Sequence, residues 1–347
     1  MEIGIGLDQG LRLSFPEQRQ MVQEAARLGY TSAWTPAGLG VDAFQTCANW
    51  SQASAEVVDG GLITGTSVVP VPVWTPPSLA GVAGTTGMIS GGRFILGIGT
   101  GGIYGEEYRR AHDLPDWPAV AMMRDYLITL RGLLAGEAVT YAGKTVTLRG
   151  VQLGFRPPRV PLYLGALGPQ MLRLAGEAAD GACLNWCTPE QIAWSRERIA
   201  AGARKAGRSA ADVQVVEYIR ISVDEDEDAA RRAFVRALIG YAMARRGASK
   251  EAGYRGHFAR MGFDDALSAL EARRDAGADE AELVEAFPLE LARQVGYYGR
   301  PEGAAAAFRR LAEGLDVAVV RVVPARPGID AVAAVMRACR PDAVQAR

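Results

Sequence analysis

Histidine is nearly absent from this sequence: His112 and His257 are the only two in 347 residues. Cysteine is scarce as well, at positions 47, 183, 187 and 339. A structural zinc site needs four soft ligands, and the C-x3-C pair Cys183 and Cys187 with two distant histidines gives it little support. The four thiols read instead as buried or semi-buried cysteines in a reducing compartment. An excess of charge is also missing, with 38 Lys and Arg against 39 Asp and Glu for a net charge of −1. Such a balance offers no basic stripe to nucleic-acid phosphates and no steering toward an anionic membrane. Neither is an expected partner. The first residues, Met1-Glu-Ile-Gly-Ile-Gly6, lack the basic segment and apolar core of a secretory leader, so the cytoplasm is the expected location.

One stretch lacks charge altogether, from Gly60 through Gly92. Its length is that of a membrane span. Pro70, Pro72, Pro76 and Pro77 and a high glycine content prevent one continuous helix there. A buried strand, a loop and a buried helix in series is the expectation.

What is present is a core. Apolar residues make up 49% of the chain and charged ones 22%, the profile of a globular protein. Apolar runs with strand character fall at 3–7, 30–35, 61–69, 94–99, 161–166, 181–185, 213–223 and 317–323. Between most of them lie segments with helical spacing: 15–28, 42–55, 77–90, 114–134, 170–178, 189–206 and 329–338. Residues 139–148 read as a hairpin turning at Ala142-Gly143, and residues 225–315 as a largely helical insertion before the last strand. Length alone allows one large α/β domain or two ordinary ones. Eight strand–helix units without a linker argue for a single (β/α)8 TIM barrel over residues 1–347. The chemistry of such a barrel sits where strands end and βα loops begin.

Three glycine-rich strand ends deserve weighing. Gly97-Ile-Gly99-Thr-Gly101-Gly102 fits G-x-G-x-x-G, but its first glycine lies inside the apolar run and no long helix opens directly after it. Close approach of a barrel strand to a flat ligand is the better account. Gly165-Ala-Leu-Gly168-Pro-Gln170 follows a strand and opens a helix, with Pro169 suited to the first helical position. Free N–H groups there can hold an anion, and an ordinary βα turn explains the residues equally well. Gly65-Thr-Ser67-Val68-Val69-Pro70 reads either as a strand broken by proline or as a distorted strand end lying against a cofactor ring.

These segments, with Ser32-Ala-Trp34, Asp42-Ala-Phe44, Ser90-Gly-Gly-Arg-Phe94 and the run Leu164 to Gly181, resemble the bacterial-luciferase-like superfamily, most closely its coenzyme F420-dependent branch, which includes methylenetetrahydromethanopterin reductase. The resemblance covers residues 1 to about 223 and the last strand. It implies a barrel, often a homodimer, with a deazaflavin or flavin ring across the strand ends. It implies a cis peptide at Ser67–Val68, a ring wall of Ser67, Val68, Val69 and Thr100, and a cofactor phosphate at Gly165, Ala166, Gly168 and Gln170. Several relatives carry a carboxylate or an Asp-His pair after the second strand, where this chain has Pro36-Ala37-Gly38. Glu106 or His112 could take the place of their general acid, although a solvated loop charge is the commoner fate of such residues.

The expected activity is hydride transfer between coenzyme F420 and a small organic substrate. The alternatives are a monooxygenase using flavin mononucleotide (FMN) and a barrel that binds ligand without turnover. Trp34, Trp74, Tyr104 and Trp186 fall at predicted strand ends, which favours a planar or apolar, largely uncharged substrate; the other account is that some of them are core.

Overall fold

A computed structural model describes residues 1–102, 106–114, 116–251 and 253–346, with Glu106 and Glu107 described in their backbone only. Eight parallel strands close on themselves: β1 (Glu2–Gly6), β2 (Ser32–Thr35), β3 (Ile63–Thr66), β4 (Phe94–Gly99), β5 (Leu162–Gly165), β6 (Gly181–Asn185), β7 (Gln214–Val223) and β8 (Val317–Val322). Each pairs with the next, and β8 closes on β1 with Glu2 opposite Val317 and Gly6 opposite Arg321. The expected (β/α)8 barrel is the fold.

Side chains alternate along each strand. Those facing outward, such as Ile3, Ile5, Leu96, Ile98, Leu162 and Leu164, join the helices in the main core. Those facing inward, including Trp34, Tyr163, Cys183, Val216, Tyr218, Val317 and Val319, fill the barrel with a second packed cluster. Gly65 makes room for this filling: a Cβ there would lie 2.5 Å from the Trp34 ring.

Helix starts follow local chemistry. Ser14 and Glu17 form a reciprocal capping box before helix 15–27, Thr188 and Gln191 do the same before helix 189–205, and Asp42 and Thr75 cap helices 43–55 and 76–89. The uncharged stretch resolves into β3, a two-residue strand Val69–Pro70, a short 3-10 turn and helix Pro76–Ile89. No helix among the described residues is long and apolar enough to cross a membrane.

Three boundaries differ from the sequence reading. The helix expected from Leu114 begins only at Ala119, after Pro118, whose ring disfavours helical geometry in the residue before it. The hairpin's second strand runs on to Val151, and its turn is held by the buried Asp125 carboxylate, which accepts from Tyr141 Oη at 2.7 Å and Thr145 N at 2.6 Å. The insertion contains a strand, Gly296–Gly299, parallel to Arg220–Val223 at the upper end of β7. Gly-Tyr-Tyr-Gly is too short to show alternation, and its partner is far away in sequence. Helix Pro301–Leu311, at the end of the expected insertion, belongs to the barrel's helical layer, packing Ala304, Phe308 and Leu311 into the main core. The helices before it form their own core around Phe234, Leu238, Phe258, Leu270 and Leu291, which takes in Trp186 from the barrel.

Candidate active site at the barrel mouth

The C-terminal ends of β3, β4 and β5 build one wall of the mouth. The Ser67–Val68 peptide bond is cis. Ser67 N–H donates to the Thr35 carbonyl at 3.0 Å, and the Val68 carbonyl accepts from Ala37 N–H at 3.3 Å, so the bulge is tied to the end of β2. The Val68 side chain then covers the neighbouring strand ends. A Cβ on Gly99 would fall 2.4 Å from Val68 Cγ2, and one on Gly165 3.3 Å from Val68 Cγ1. Glycine at both positions keeps this wall low and nearly free of side chains, and Thr100, half-buried, follows on β4. Val69 is fully buried beneath it.

Beyond β5, Ala166 is buried, Gly168 is the N-cap of helix Pro169–Ala178, and Gln170 is exposed on its first turn. Gly168 supplies no side-chain cap, and a Cβ there would meet nothing within 4 Å. The helix start is therefore left without a side-chain acceptor and with open space beside Gly168, as an anion site requires.

The opposite wall, at β6, β7 and β8, is polar. Arg220 and Arg321 lie directly opposite each other on β7 and β8 and both are buried. Arg220 donates to Asn185 Oδ1 at 2.6 Å, and its guanidinium lies 3.7 Å above the Trp186 ring. Asn185 in turn donates to Tyr254 Oη of the insertion at 2.7 Å. Arg321 leans the other way, pairing with Asp8 at the end of β1 and lying 4.7 Å over the Tyr218 ring. Burial lowers both guanidinium pKa values, Arg321 to about 9, which leaves Arg321 protonated at neutral pH.

Behind this wall, facing outward from β7, is Glu217. Its carboxylate accepts from Cys187 N–H at 2.6 Å, and burial pushes it up to about 8 despite that bond and the nearby Arg220. His257 Nε2 donates to the Trp186 carbonyl at 2.9 Å and lies 3.9 Å from Cys187 Sγ; burial pushes it down to about 4. Trp186 itself has φ +60, a left-handed backbone unusual for a bulky residue. That turn carries its indole under Arg220.

The structure thus brings Ser67, Val68, Val69, Thr100, Gly165, Ala166 and Gly168 onto three neighbouring strand ends. It does not put the aromatics in one pocket. Trp34 has no exposed surface, because it points into the barrel filling against Tyr163, with its indole N–H on Ser32 Oγ at 2.8 Å. Trp186 is equally buried, under the insertion. Trp74 is half-buried and edge-on to Phe44. His112 is exposed, stacked on Tyr108 at 4.0 Å. Tyr104 and the Glu106 side chain lie outside the described residues. Arg220, Arg321 and Tyr254 were not singled out from sequence, although a charge inside an otherwise apolar strand run was a visible signal for both arginines. Among the described residues no group of His, Cys, Asp and Glu is arranged to hold a metal ion.

Residues 2–317 match the family described as luciferase-like monooxygenase. A 5,10-methylenetetrahydromethanopterin reductase of Archaeoglobus fulgidus is 38% identical over 171 residues, 49% of this chain and 50% of that protein. An F420-dependent glucose-6-phosphate dehydrogenase of Microbacterium testaceum is 32% identical over 175 residues, 49% of this chain and 52% of that one. These alignments span about half the length of the curated relatives. The coenzyme F420-dependent tetrahydromethanopterin reductase of Methanopyrus kandleri has the same fold, with a TM-score of 0.80, 22% identity and coverage of 98% of this chain and 99% of that one. With the matched segment running through all seven preceding strands to the start of β8, the chain belongs to the luciferase-like monooxygenase family.

Proposed function

We propose that this protein is a coenzyme F420-dependent oxidoreductase that transfers hydride between the deazaflavin and a small organic substrate at the barrel mouth. One observation carries the reading: a low wall of Val68 between Gly99 and Gly165 continues directly into an uncapped helix start at Gly168. A flat ring with a phosphate-bearing tail needs those two features in that order. The names of the relatives in Archaeoglobus and Microbacterium support the deazaflavin over FMN.

When bound, the coenzyme supplies a two-electron hydride carrier. The chain's own residues would then do three things. Val68 would back the ring; Gly165, Ala166, Gly168 and Gln170 would surround the phosphate at the helix start; Thr100 would border the ring beside β4. Positioning of ring and substrate supplies much of the barrier reduction in such a reaction.

Fluorescence titration with coenzyme F420 and with FMN, followed by anaerobic mixing with reduced F420 and a panel of unsaturated acceptors, tests this. Binding of F420 in preference to FMN and return of the oxidised chromophore without oxygen are expected. Tight FMN binding with turnover only in oxygen would overturn the reading and favour a monooxygenase.

A further inference from the structure

We propose that the substrate carries a carboxylate, held by Arg321 with Arg220 beside it on the β7–β8 side of the mouth. The inference rests on the reading above, in which the coenzyme occupies the Val68 side and its phosphate the Gly168 helix start.

Charge is the first ground. Arg220 and Arg321 are 4% and 6% exposed, and taking a guanidinium out of water is costly unless an anion compensates it. Asp8 pairs with Arg321. Among the described residues Arg220 has no carboxylate within ion-pair distance; its polar partners, Asn185, the Tyr218 carbonyl and Tyr241, are neutral, and an aromatic ring lies on its face. Glu217 does not close the gap, since it faces the other side of β7 and is held largely protonated at neutral pH. The described inward-facing side chains at this end of β7, β8 and β1 are therefore one negative charge short.

Unused hydrogen-bonding groups are the second ground. Arg321 Nη1 is buried without a partner, and so are Tyr218 Oη, two residue pairs deeper in the barrel, and Ser222 Oγ, further up the same face of β7. Buried donors are normally matched, so a cluster of three at one end of a barrel marks a place where a ligand supplies acceptors. A guanidinium fork presents parallel N–H groups that suit a planar two-oxygen anion. The local scaffold is stiff. Trp186 in its left-handed turn, Tyr241 and Asn185 hold Arg220, while Asp8 and Tyr218 hold Arg321.

This changes the expectation of an uncharged substrate. A small organic acid fits the mouth better than a neutral molecule of the same shape.

Calorimetric titration of the F420-saturated protein with acetate, benzoate and cinnamate, against acetamide, benzamide and cinnamamide, reads the preference directly. At least one carboxylate is expected to bind about tenfold or more tighter than its amide. Arg321→Gln should abolish that preference and Arg321→Lys should keep part of it, while affinity for F420 changes less than about twofold. Equal binding of acids and amides, or no binding of either, overturns the inference. A parallel loss of F420 affinity in Arg321→Gln also overturns it, because the arginine would then serve the coenzyme. If Arg321→Gln does not fold, the wild-type acid–amide comparison decides the question alone. Failure to bind F420 at all would sink the cofactor reading instead, whatever the acids do.

Discussion

Glu217 and His257 flank Cys187 just behind the arginine wall, and burial drives them in opposite directions. Glu217 rises from 4.5 to about 8, so its contribution to stability is full below 4.5 and is lost as pH rises through about 8. His257 falls from 6.5 to about 4, so its contribution is full above 6.5 and is lost as pH falls through about 4. Glu217→Gln keeps an acceptor for Cys187 N–H and removes the ionisation. Its Tm relative to the native chain is expected to climb between about pH 5 and pH 9. A Tm difference that stays constant across that range would mean the carboxyl titrates normally. Neither residue could be assigned such behaviour from sequence. Glu217 stands in a strand run where only the strand's facing and the turn of Cys187 above it decide burial.

At the scale of elements, two glycines do different work and give different predictions. Gly65 on β3 yields space to Trp34, and that indole is held on Ser32 in the closed barrel. Gly65→Ala is expected to destabilise the protein by about 1–3 kcal/mol in urea unfolding, because the packed interior has little freedom to move aside. A cost below about 0.5 kcal/mol would show that the filling can repack. Gly168 is the reverse case, with open space at its Cβ and an extended backbone at φ −88. Gly168→Asp puts a favoured N-cap side chain there, so stability should hold or rise by a few tenths of a kcal/mol. The same carboxylate occupies the anion site and opposes a phosphate, so F420 affinity is expected to fall about tenfold or more. Stable protein with unchanged F420 binding would move the phosphate elsewhere. The existence of both elements was legible in the sequence, β3 from its apolar run and the helix from Pro169 and its spacing. Strand Gly296–Gly299 was not, since two tyrosines between glycines carry no period and gain their order only by pairing with β7.

For the whole molecule, the resemblance carries one further proposal, a homodimer; light scattering at micromolar concentration should give twice the 36.9 kDa of one chain, and the mass of a single chain would refute it. The alternation of apolar strands and amphipathic helices determined the barrel by itself, because eight such units bury their apolar faces together when the sheet closes. Motif resemblance also located the Val68 wall and the Gly168 turn, since both are made of consecutive residues whose backbone geometry is local. What only the tertiary structure decided is which inward-facing residues share a layer. Trp34 and Trp186 went into packed interiors rather than a pocket, and Arg220 and Arg321, about a hundred positions apart, came into register across β7 and β8. Period-two alternation tells which residues share a face of one strand. The height of that face against its neighbours depends on the stagger of the closed sheet, which no single segment contains.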